Sequence, residues 1–253
     1  MELLYPTLLG ILQGFTEFFP VSSSGHLVIA QQIVPGFSQP GVLFDVFLHA
    51  GTLLAVIIYF YKDILKLTFR DYFFLGCATL PATVVGFLFS DSIELLFDNA
   101  KLVGLMLMIT AFLNYLTDKN IKKRSIGFAD VKNPMKTSFV IGLFQAIAIT
   151  PGISRSGSTI FAGTKYGLKA QEAAKFSFLL SIPAIIGANI LQFVKYGNVS
   201  EINVITYSAG FLAAVISGYI AIAWVIKLLD TNKFRYFSYY CLFVGVLVVV
   251  FLD

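Results

Sequence analysis

The sequence predicts an all-α integral membrane protein made of two inverted-topology repeats, each a re-entrant broken-helix hairpin followed by three transmembrane helices. Three observations carry this. Of the 253 residues, 57% are hydrophobic and only 13% charged, with a mean hydropathy of +0.82. So few polar residues cannot cover a water-soluble globule, and lipid must be the solvent for most of the exterior. The apolar residues run in helix-length stretches, without the alternating ~10-residue segments of a barrel. Finally, two of the stretches break at Pro/Ser/Gly tips that match each other at a fixed offset.

The first stretch, Leu3 to Phe19, carries Gln13 and Glu17 and breaks at Pro20-Val21-Ser22-Ser23-Ser24-Gly25; the piece after it, His26 to Val34, is too short to span. Three crossings follow, Val42 to Tyr61, Tyr72 to Ser90 and Leu102 to Thr117. The broken design recurs from Thr137 to Thr150, interrupted by Pro151-Gly152-Ile153-Ser154-Arg155-Ser156-Gly157, with a short arm from Ser158 to Lys165. Three more crossings close the chain, Phe176 to Val194, Val204 to Ile226 and Phe237 to Leu252. Helix-spanning arithmetic needs about 20 apolar residues per crossing, which these six approach and the hairpin arms do not. The start, Met1-Glu2-Leu3-Leu4, lacks a basic n-region and a cleavage site, so the first apolar segment is expected in the mature protein. Cys77 and Cys241 both lie in apolar stretches and offer neither a disulfide framework nor a thiolate metal site.

A gapless shift of 132 residues pairs Gly10 with Gly142, Gln13 with Gln145, Ser22 with Ser154, Ser24 with Ser156 and Gly25 with Gly157, and then Phe44 with Phe176 and Leu48 with Leu180. The units are expected at 1–118 (hairpin 3–34) and 137–253 (hairpin 137–165), joined by a basic connector at 119–136 that holds Lys122, Lys123 and Arg124. One hairpin plus three crossings per unit turns the second copy upside down, a transporter-like architecture. The 18 Lys and Arg against 14 Asp and Glu give a net +4, and their placement is a topology signal. With re-entrant hairpins, the loops at 62–70, 118–136, 165–175 and 227–235 share one side and hold 15 Lys and Arg, against Lys101 and Lys195 on the other. That side is the cytoplasm by the positive-inside rule. Both termini are then outside, and the two hairpin tips meet near the midplane.

Irregular backbone and ionisable side chains at membrane depth mark function by default. Glu17, His26 and Arg155 are expected to share one site with Ser22, Ser23, Ser24, Ser154, Ser156, Ser158 and Thr159. This is a phosphate-handling set: Arg155 supplies a planar fork of donors, the serines supply hydroxyls, and Gly25, Gly152 and Gly157 permit turns that aim backbone N–H groups inward. Helix N-termini after each turn add positive dipole ends. The bland alternative is that Ser and Gly pack helices closely while Arg155 snorkels. Gln13 and Glu17, one turn apart, present oxygens that could hold a divalent cation or bond between helices. His26 could act as nucleophile, acid or base. Asp45 and His49, at i and i+4, read as a mutually bonded supporting pair. No Walker A loop, Rossmann glycine pattern, Cys/His cluster or nucleic-acid motif appears, so neither nucleotide hydrolysis nor nucleic-acid binding has support.

At Gln13-Gly-Phe-Thr-Glu17-Phe-Phe-Pro20-Val-Ser-Ser-Ser-Gly-His26 and Pro151-Gly-Ile-Ser-Arg155-Ser-Gly-Ser-Thr159 the chain closely resembles the undecaprenyl-diphosphatases, the bacitracin-resistance proteins of bacteria. The stretches Phe44-Asp-Val-Phe-Leu-His-Ala-Gly-Thr-Leu-Leu-Ala and Phe176-Ser-Phe-Leu-Leu-Ser-Ile-Pro-Ala extend the likeness over the whole length. The resemblance implies a C55 isoprenyl diphosphate substrate, hydrolysis to the monophosphate carrier lipid of cell-wall synthesis, bacitracin resistance, and dependence on a divalent cation, Mg²⁺ or Ca²⁺. It also implies the bacterial cytoplasmic membrane, with a pocket that opens outward. Glu17, Ser23, His26, Ser154, Arg155 and Thr159 match the family's functional positions. The first position of its Glu/Gln-x-x-x-Glu motif is Gln13, a neutral oxygen in place of a carboxylate. The acid-phosphatase-like lipid phosphatases are excluded, since their Ser-Arg is followed six residues on by a histidine where this chain has Phe161, and no Lys-x6-Arg-Pro segment exists.

The expected chemistry has Arg155, the second-tip serines and backbone N–H groups hold the diphosphate. Attack could come from Ser23, from His26 or from water; the favoured arrangement is Ser23 with Glu17 as base and His26 protonating the leaving phosphate. The isoprenyl tail is expected against the Phe and Leu surfaces between helices. The alternative is a transporter or flippase for polyprenyl phosphate lipids, which needs the donors but no base. The chain is compatible with self-association into a homo-oligomer.

Overall fold

The computed structural model describes residues 3–33, 42–121, 126–196, 204–230 and 233–252. They form eleven α-helices: α1 (Leu4–Phe18), α2 (Ser23–Ile33), α3 (Val42–Ile64), α4 (Phe69–Leu88), α5 (Ser90–Glu94), α6 (Ala100–Ile121), α7 (Pro134–Ile147), α8 (Arg155–Lys165), α9 (Ala170–Tyr196), α10 (Val204–Asp230) and α11 (Arg235–Phe251). Val34, at the end of the first expected hairpin, and Lys122, Lys123 and Arg124 of the connector lie outside the described residues. Five helices, α3, α4, α6, α9 and α10, are long and apolar enough to cross a membrane, and α11 is an apolar helix of 17 residues. The chain is therefore an all-helical, multi-pass integral membrane protein.

The helices overrun the expected apolar stretches for local reasons. Helix α4 begins at Phe69, ahead of Tyr72, because Thr68 and Asp71 form a reciprocal capping box. Helix α9 begins at Ala170, six residues ahead of Phe176, because Ala170-Gln-Glu-Ala-Ala-Lys175 is built of strong helix formers that continue the helix past the apolar stretch. The short α5 was not anticipated, since five residues leave no periodic pattern. By contrast α1, α2, α7 and α8 have 15, 11, 14 and 11 residues. At 1.5 Å per residue none exceeds about 23 Å, short of the ~30 Å hydrocarbon core.

The helices that carry the broken tips are seated by small residues. Helix α1 packs along α10, which also packs on α3, while α7 packs along α4, and α6 pairs with α11. Gly10 abuts the backbone of Gly210, and Gly142 abuts that of Ala78; a Cβ on either glycine would collide with the facing carbonyl oxygen. Such backbone-to-backbone approach is how helices associate where lipid supplies no hydrophobic drive between them. Helix α8 lies against α6, α7 and α9. Beneath the tips, Phe18 meets Phe178 edge to face at 5.5 Å, and both are fully buried with Ile160, Leu180 and Phe234. Phe112, Phe243, Val250 and Trp224 face outward, as a lipid-solvated exterior requires.

Both tips are capped the same way, though the left-handed residue sits two positions earlier in the second repeat. Helix α1 stops where Pro20 removes a donor, and Ser22 takes φ = 70°, a left-handed conformation costly for a residue with a Cβ. Ser22 Oγ then accepts from Gly25 N–H at 3.3 Å, capping the start of α2. After α7, Gly152 takes φ = 90°, and Ser154 Oγ accepts from Gly157 N–H at 3.1 Å to cap α8. Ser22 and Ser24 hydroxyls stand 3.3 Å apart, and those of Ser154 and Ser156 3.2 Å apart.

Candidate active site

A cavity of about 670 Å³ reaches the two tips, its inner end lined by Thr16, Glu17, Ser22, Ser23, Ser24, His49, Gln145, Ser154 and Arg155. Its walls are the apolar flanks of α4 and α9, including Ala82, Phe87, Ala184, Gly187, Ile190 and Leu191. The far end reaches Lys195, whose Nζ pairs with Asp91 at 2.5 Å and with Glu94 at 3.0 Å, bridging α9 to α5. The space is polar at its inner end and again at the charged far end, with largely apolar walls between, which suits a molecule with a charged head and a hydrocarbon body.

Glu17 organises the polar end. Its Oε1 accepts from Arg155 Nη2 at 2.6 Å, and its Oε2 accepts from Ser23 Oγ at 2.7 Å and from Gln13 Nε2 at 3.0 Å. Gln13 and Glu17 meet because they lie one turn apart on α1, and Arg155 reaches them from the first position of α8. Arg155 Nη1 donates to the Ser177 carbonyl of α9 at 3.2 Å, so the guanidinium spans two elements. Glu17 and Arg155 side chains are 7% and 16% exposed. A charge pair that dry holds together through its additional hydrogen bonds. Ser23, half-buried, keeps its oxygen lone pairs available while donating to a carboxylate, the geometry of an activated hydroxyl nucleophile.

The anticipated phosphate-binding residues divide into two groups. Ser22, Ser24, Ser154 and Arg155 line the cavity with Ser23 and Glu17. Gly25, Gly152, Ser156, Gly157 and Thr159 are buried where tip meets tip. Gly25 faces Gly152, Gly157 faces Pro20, and Ser156 Oγ donates to the Phe19 carbonyl at 3.1 Å. Thr159 bonds Ser177 Oγ at 2.6 Å and the Arg155 carbonyl at 2.8 Å, fastening α8 to α9. Ser158 Oγ is buried, with no hydrogen-bond partner among the described residues.

The two histidines are placed differently from the expectation. His26 is not among the residues lining the cavity: Nδ1 meets the Ser22 carbonyl at 2.7 Å, Nε2 meets the Tyr240 hydroxyl at 2.7 Å, and the two rings stack at 5.5 Å. His26 lies within one turn of Ser22 and Ser23, yet its two hydrogen bonds and the stacked Tyr240 ring hold the imidazole against α11. His49, read from the sequence as a supporting partner of Asp45, lines the cavity instead, with Nδ1 3.0 Å from Gln13 Nε2 and 3.7 Å from Glu17 Oε2. Thr110 and Asn114 also went unnoticed. Thr110 Oγ1 donates to the Gly152 carbonyl at 2.8 Å and accepts from Ser154 N–H at 2.9 Å, while Asn114 Nδ2 donates to the Pro20 carbonyl at 2.6 Å. Their signal in the sequence was two polar residues at i and i+4 in an otherwise apolar span.

The family model described as bacitracin resistance protein BacA matches residues 7–247 of the chain. The chain belongs to that family. Among relatives, it is 39% identical to an undecaprenyl-diphosphatase of Methanobrevibacter smithii, across 98% of this chain and 97% of that one. It is 40% identical to an undecaprenyl-diphosphatase of Syntrophotalea carbinolica, across 97% of each, and 40% identical to undecaprenyl-diphosphatase 4 of Bacillus cereus, across 98% and 97%. The BacA family model thus covers both tips and every side chain bonded to Glu17.

The donor set bears on the divalent cation that the resemblance implies. Among the described residues no group of three or more His, Cys, Asp or Glu side chains is placed to hold a metal. The oxygens on offer are Glu17 Oε2 and Gln13 Oε1, the latter fully buried and without a hydrogen-bond partner among the described residues. One carboxylate and one orphaned amide oxygen fit a hard cation that takes most of its ligands from phosphate and water, as Mg²⁺ does. They do not make a cage that would hold a cation alone.

Proposed function

We propose that this BacA-family protein hydrolyses a polyprenyl diphosphate, undecaprenyl diphosphate in the first instance, to the monophosphate and inorganic phosphate. In a bacterial cytoplasmic membrane that reaction returns the carrier lipid to cell-wall synthesis and confers bacitracin resistance. The observation that carries the reading is the chain Ser23 Oγ, Glu17, Arg155 at 2.7 and 2.6 Å, set at the polar end of an apolar cavity. A protein that only bound or moved phosphate lipids would need the donors and would have no use for a hydroxyl bonded to a carboxylate. The names of the relatives point the same way.

In this mechanism Arg155, Ser22, Ser24 and Ser154 hold the diphosphate against the N-termini of α2 and α8. Glu17 takes the Ser23 proton as Oγ attacks the terminal phosphorus, the bond from that phosphorus to the bridging oxygen breaks, the lipid monophosphate leaves with the proton Glu17 took, and Arg155 stabilises charge on the transferring group. Water then releases phosphate from the serine. Glu17 and Gln13 would hold the divalent cation, which would neutralise diphosphate charge. His26 keeps the Ser22 turn in place through the Ser22 carbonyl and Tyr240, in place of the acid role expected for it.

The same reading covers the architecture. The 132-residue shift that pairs Gly10 with Gly142 also pairs Ala78 with Gly210, and the contacts Gly10–Gly210 and Gly142–Ala78 exchange under it. So do Gly25–Gly152 and Gly157–Pro20. Reciprocal contacts of this kind are what two repeats about a pseudo-twofold axis produce. They support units at 1–118 and 137–253, with α1–α2 and α7–α8 as re-entrant hairpins. The cavity ends at Lys195, on the side that holds few basic residues, which supports an outward-facing pocket.

The test is phosphate release from a polyprenyl diphosphate by the purified protein in detergent, with and without EDTA, beside Arg155→Ala and Glu17→Ala. Release by wild type, lost in both variants, is the expected result; loss on adding EDTA adds the cation. Substrate binding by wild type without any release would overturn the phosphatase reading in favour of a transporter.

A further inference from the structure

Nothing in the mechanism above uses His49, yet its imidazole is in the cavity and within reach of the Glu17 network. Its side chain is 29% exposed, and Nδ1 lies 3.0 Å from Gln13 Nε2. Gln13 can have only one orientation. Its Nε2 stands 3.0 Å from the Glu17 carboxylate oxygen, and turning the amide over would set two acceptor oxygens against each other there. The amide nitrogen therefore donates one hydrogen to Glu17 and has its second for His49. Since Nε2 of Gln13 accepts nothing, His49 Nδ1 must be the acceptor. The 3.7 Å separation between Nδ1 and Glu17 Oε2 is too long for a competing hydrogen bond. An imidazole that accepts at Nδ1 carries its proton on Nε2.

His26 obeys the opposite logic. A backbone carbonyl is acceptor-only, so Nδ1, 2.7 Å from the Ser22 oxygen, holds the proton, and Nε2 accepts from Tyr240. The chain's two histidines are thus held in opposite tautomers, and among the described residues His49 Nε2–H has no protein acceptor, which leaves it for a ligand.

We propose that His49, locked in its Nε2–H form by the Gln13 amide, is a hydrogen-bond donor to the substrate's phosphate oxygens. This rests on the phosphatase reading and gives the site, in addition to Arg155, a neutral donor supplied by α3. The role differs from the supporting pair with Asp45 that the spacing suggested. It also gives Gln13 a task apart from any cation: its amide sets which nitrogen of His49 is protonated.

The experiment uses full-length protein in detergent with ¹⁵N-labelled histidine, and the variants His49→Gln and His49→Asn. A glutamine amide reaches the Nε2 position and an asparagine amide the Nδ1 position, so only the first restores the donor. In wild type one histidine is expected protonated on Nε2 and the other on Nδ1, with His49→Gln leaving the Nδ1 form alone. Adding inorganic diphosphate should shift the His49 Nε2 signal, a readout that does not depend on turnover. On polyprenyl diphosphate, His49→Gln should keep kcat within about 3-fold, while His49→Asn loses about 10²-fold, the scale of one lost transition-state donor. A His49 protonated on Nδ1, no shift with diphosphate, or His49→Asn as active as His49→Gln would overturn the proposal. Absence of phosphate release by wild type would sink the phosphatase reading, leaving this one to the spectra.

Discussion

At the scale of single residues, the site turns on what each buried polar atom is bonded to. Ser23 donates to Glu17 across 2.7 Å and faces the cavity, whereas both nitrogens of His26 are taken by Ser22 and Tyr240. The two should therefore fail differently when changed. Ser23→Ala is expected to lower kcat on the order of 10³-fold or more with little loss of stability, since it removes the attacking atom. His26→Ala removes the imidazole bonds to the Ser22 carbonyl and the Tyr240 hydroxyl together with the stacked ring, and should cost about 1–3 kcal/mol of stability with a smaller effect on kcat. Thermal unfolding in detergent alongside single-turnover kinetics separates them. Near-normal turnover in Ser23→Ala beside an inactive His26→Ala would refute the serine assignment.

Among the helices, position is set by how closely backbones approach. Helices α1 and α7 reach the tips only because Gly10 lies on Gly210 and Gly142 on Ala78. An added Cβ would meet a carbonyl oxygen, which cannot swing aside as a flexible side chain would. Gly10→Val and Gly142→Val should each destabilise the protein by about 1–3 kcal/mol, the usual cost of overpacking, and should separate α1 from α10 or α7 from α4. Gly76, with open space where a Cβ would go, is the control, and Gly76→Ala should leave the melting temperature within error. Equal losses at all three positions would contradict this account of the packing.

For the molecule as a whole, the question is where the cavity opens. It runs from Glu17 and Arg155 to the Lys195, Asp91 and Glu94 cluster, along walls of α4 and α9. Basic residues are concentrated at the opposite ends of these helices and at the adjoining end of α3, at Lys62, Lys66, Arg70, Lys169 and Lys175. In intact cells a membrane-impermeant thiol reagent should label Lys195→Cys but not Lys66→Cys, with the order reversed in inside-out vesicles. Cys241 is buried and Cys77 lies within α4, so neither native thiol should obscure the result. Labelling of Lys66→Cys from outside would invert the topology.

The sequence by itself determined that the protein is helical and lies in lipid, where its helices other than α5 lie to within six residues, and that Glu17, Ser23 and Arg155 belong together. Composition, helix length and the Pro/Ser/Gly breaks are local properties, and intramembrane charges must find partners wherever the chain goes. Only the tertiary structure decided which histidine enters the cavity. His26 and Glu17 are near in sequence, but the turn at Ser22 points His26 toward α11, while α3 carries His49 back to α1 from 36 residues away. Thr110 and Asn114 stand out in the sequence as polar residues in an apolar span, but what they bind does not: their partners are the backbone carbonyls of Gly152 and Pro20, and a backbone carbonyl has no signature in the sequence. Residue type sets what a side chain can do, and packing sets what it meets.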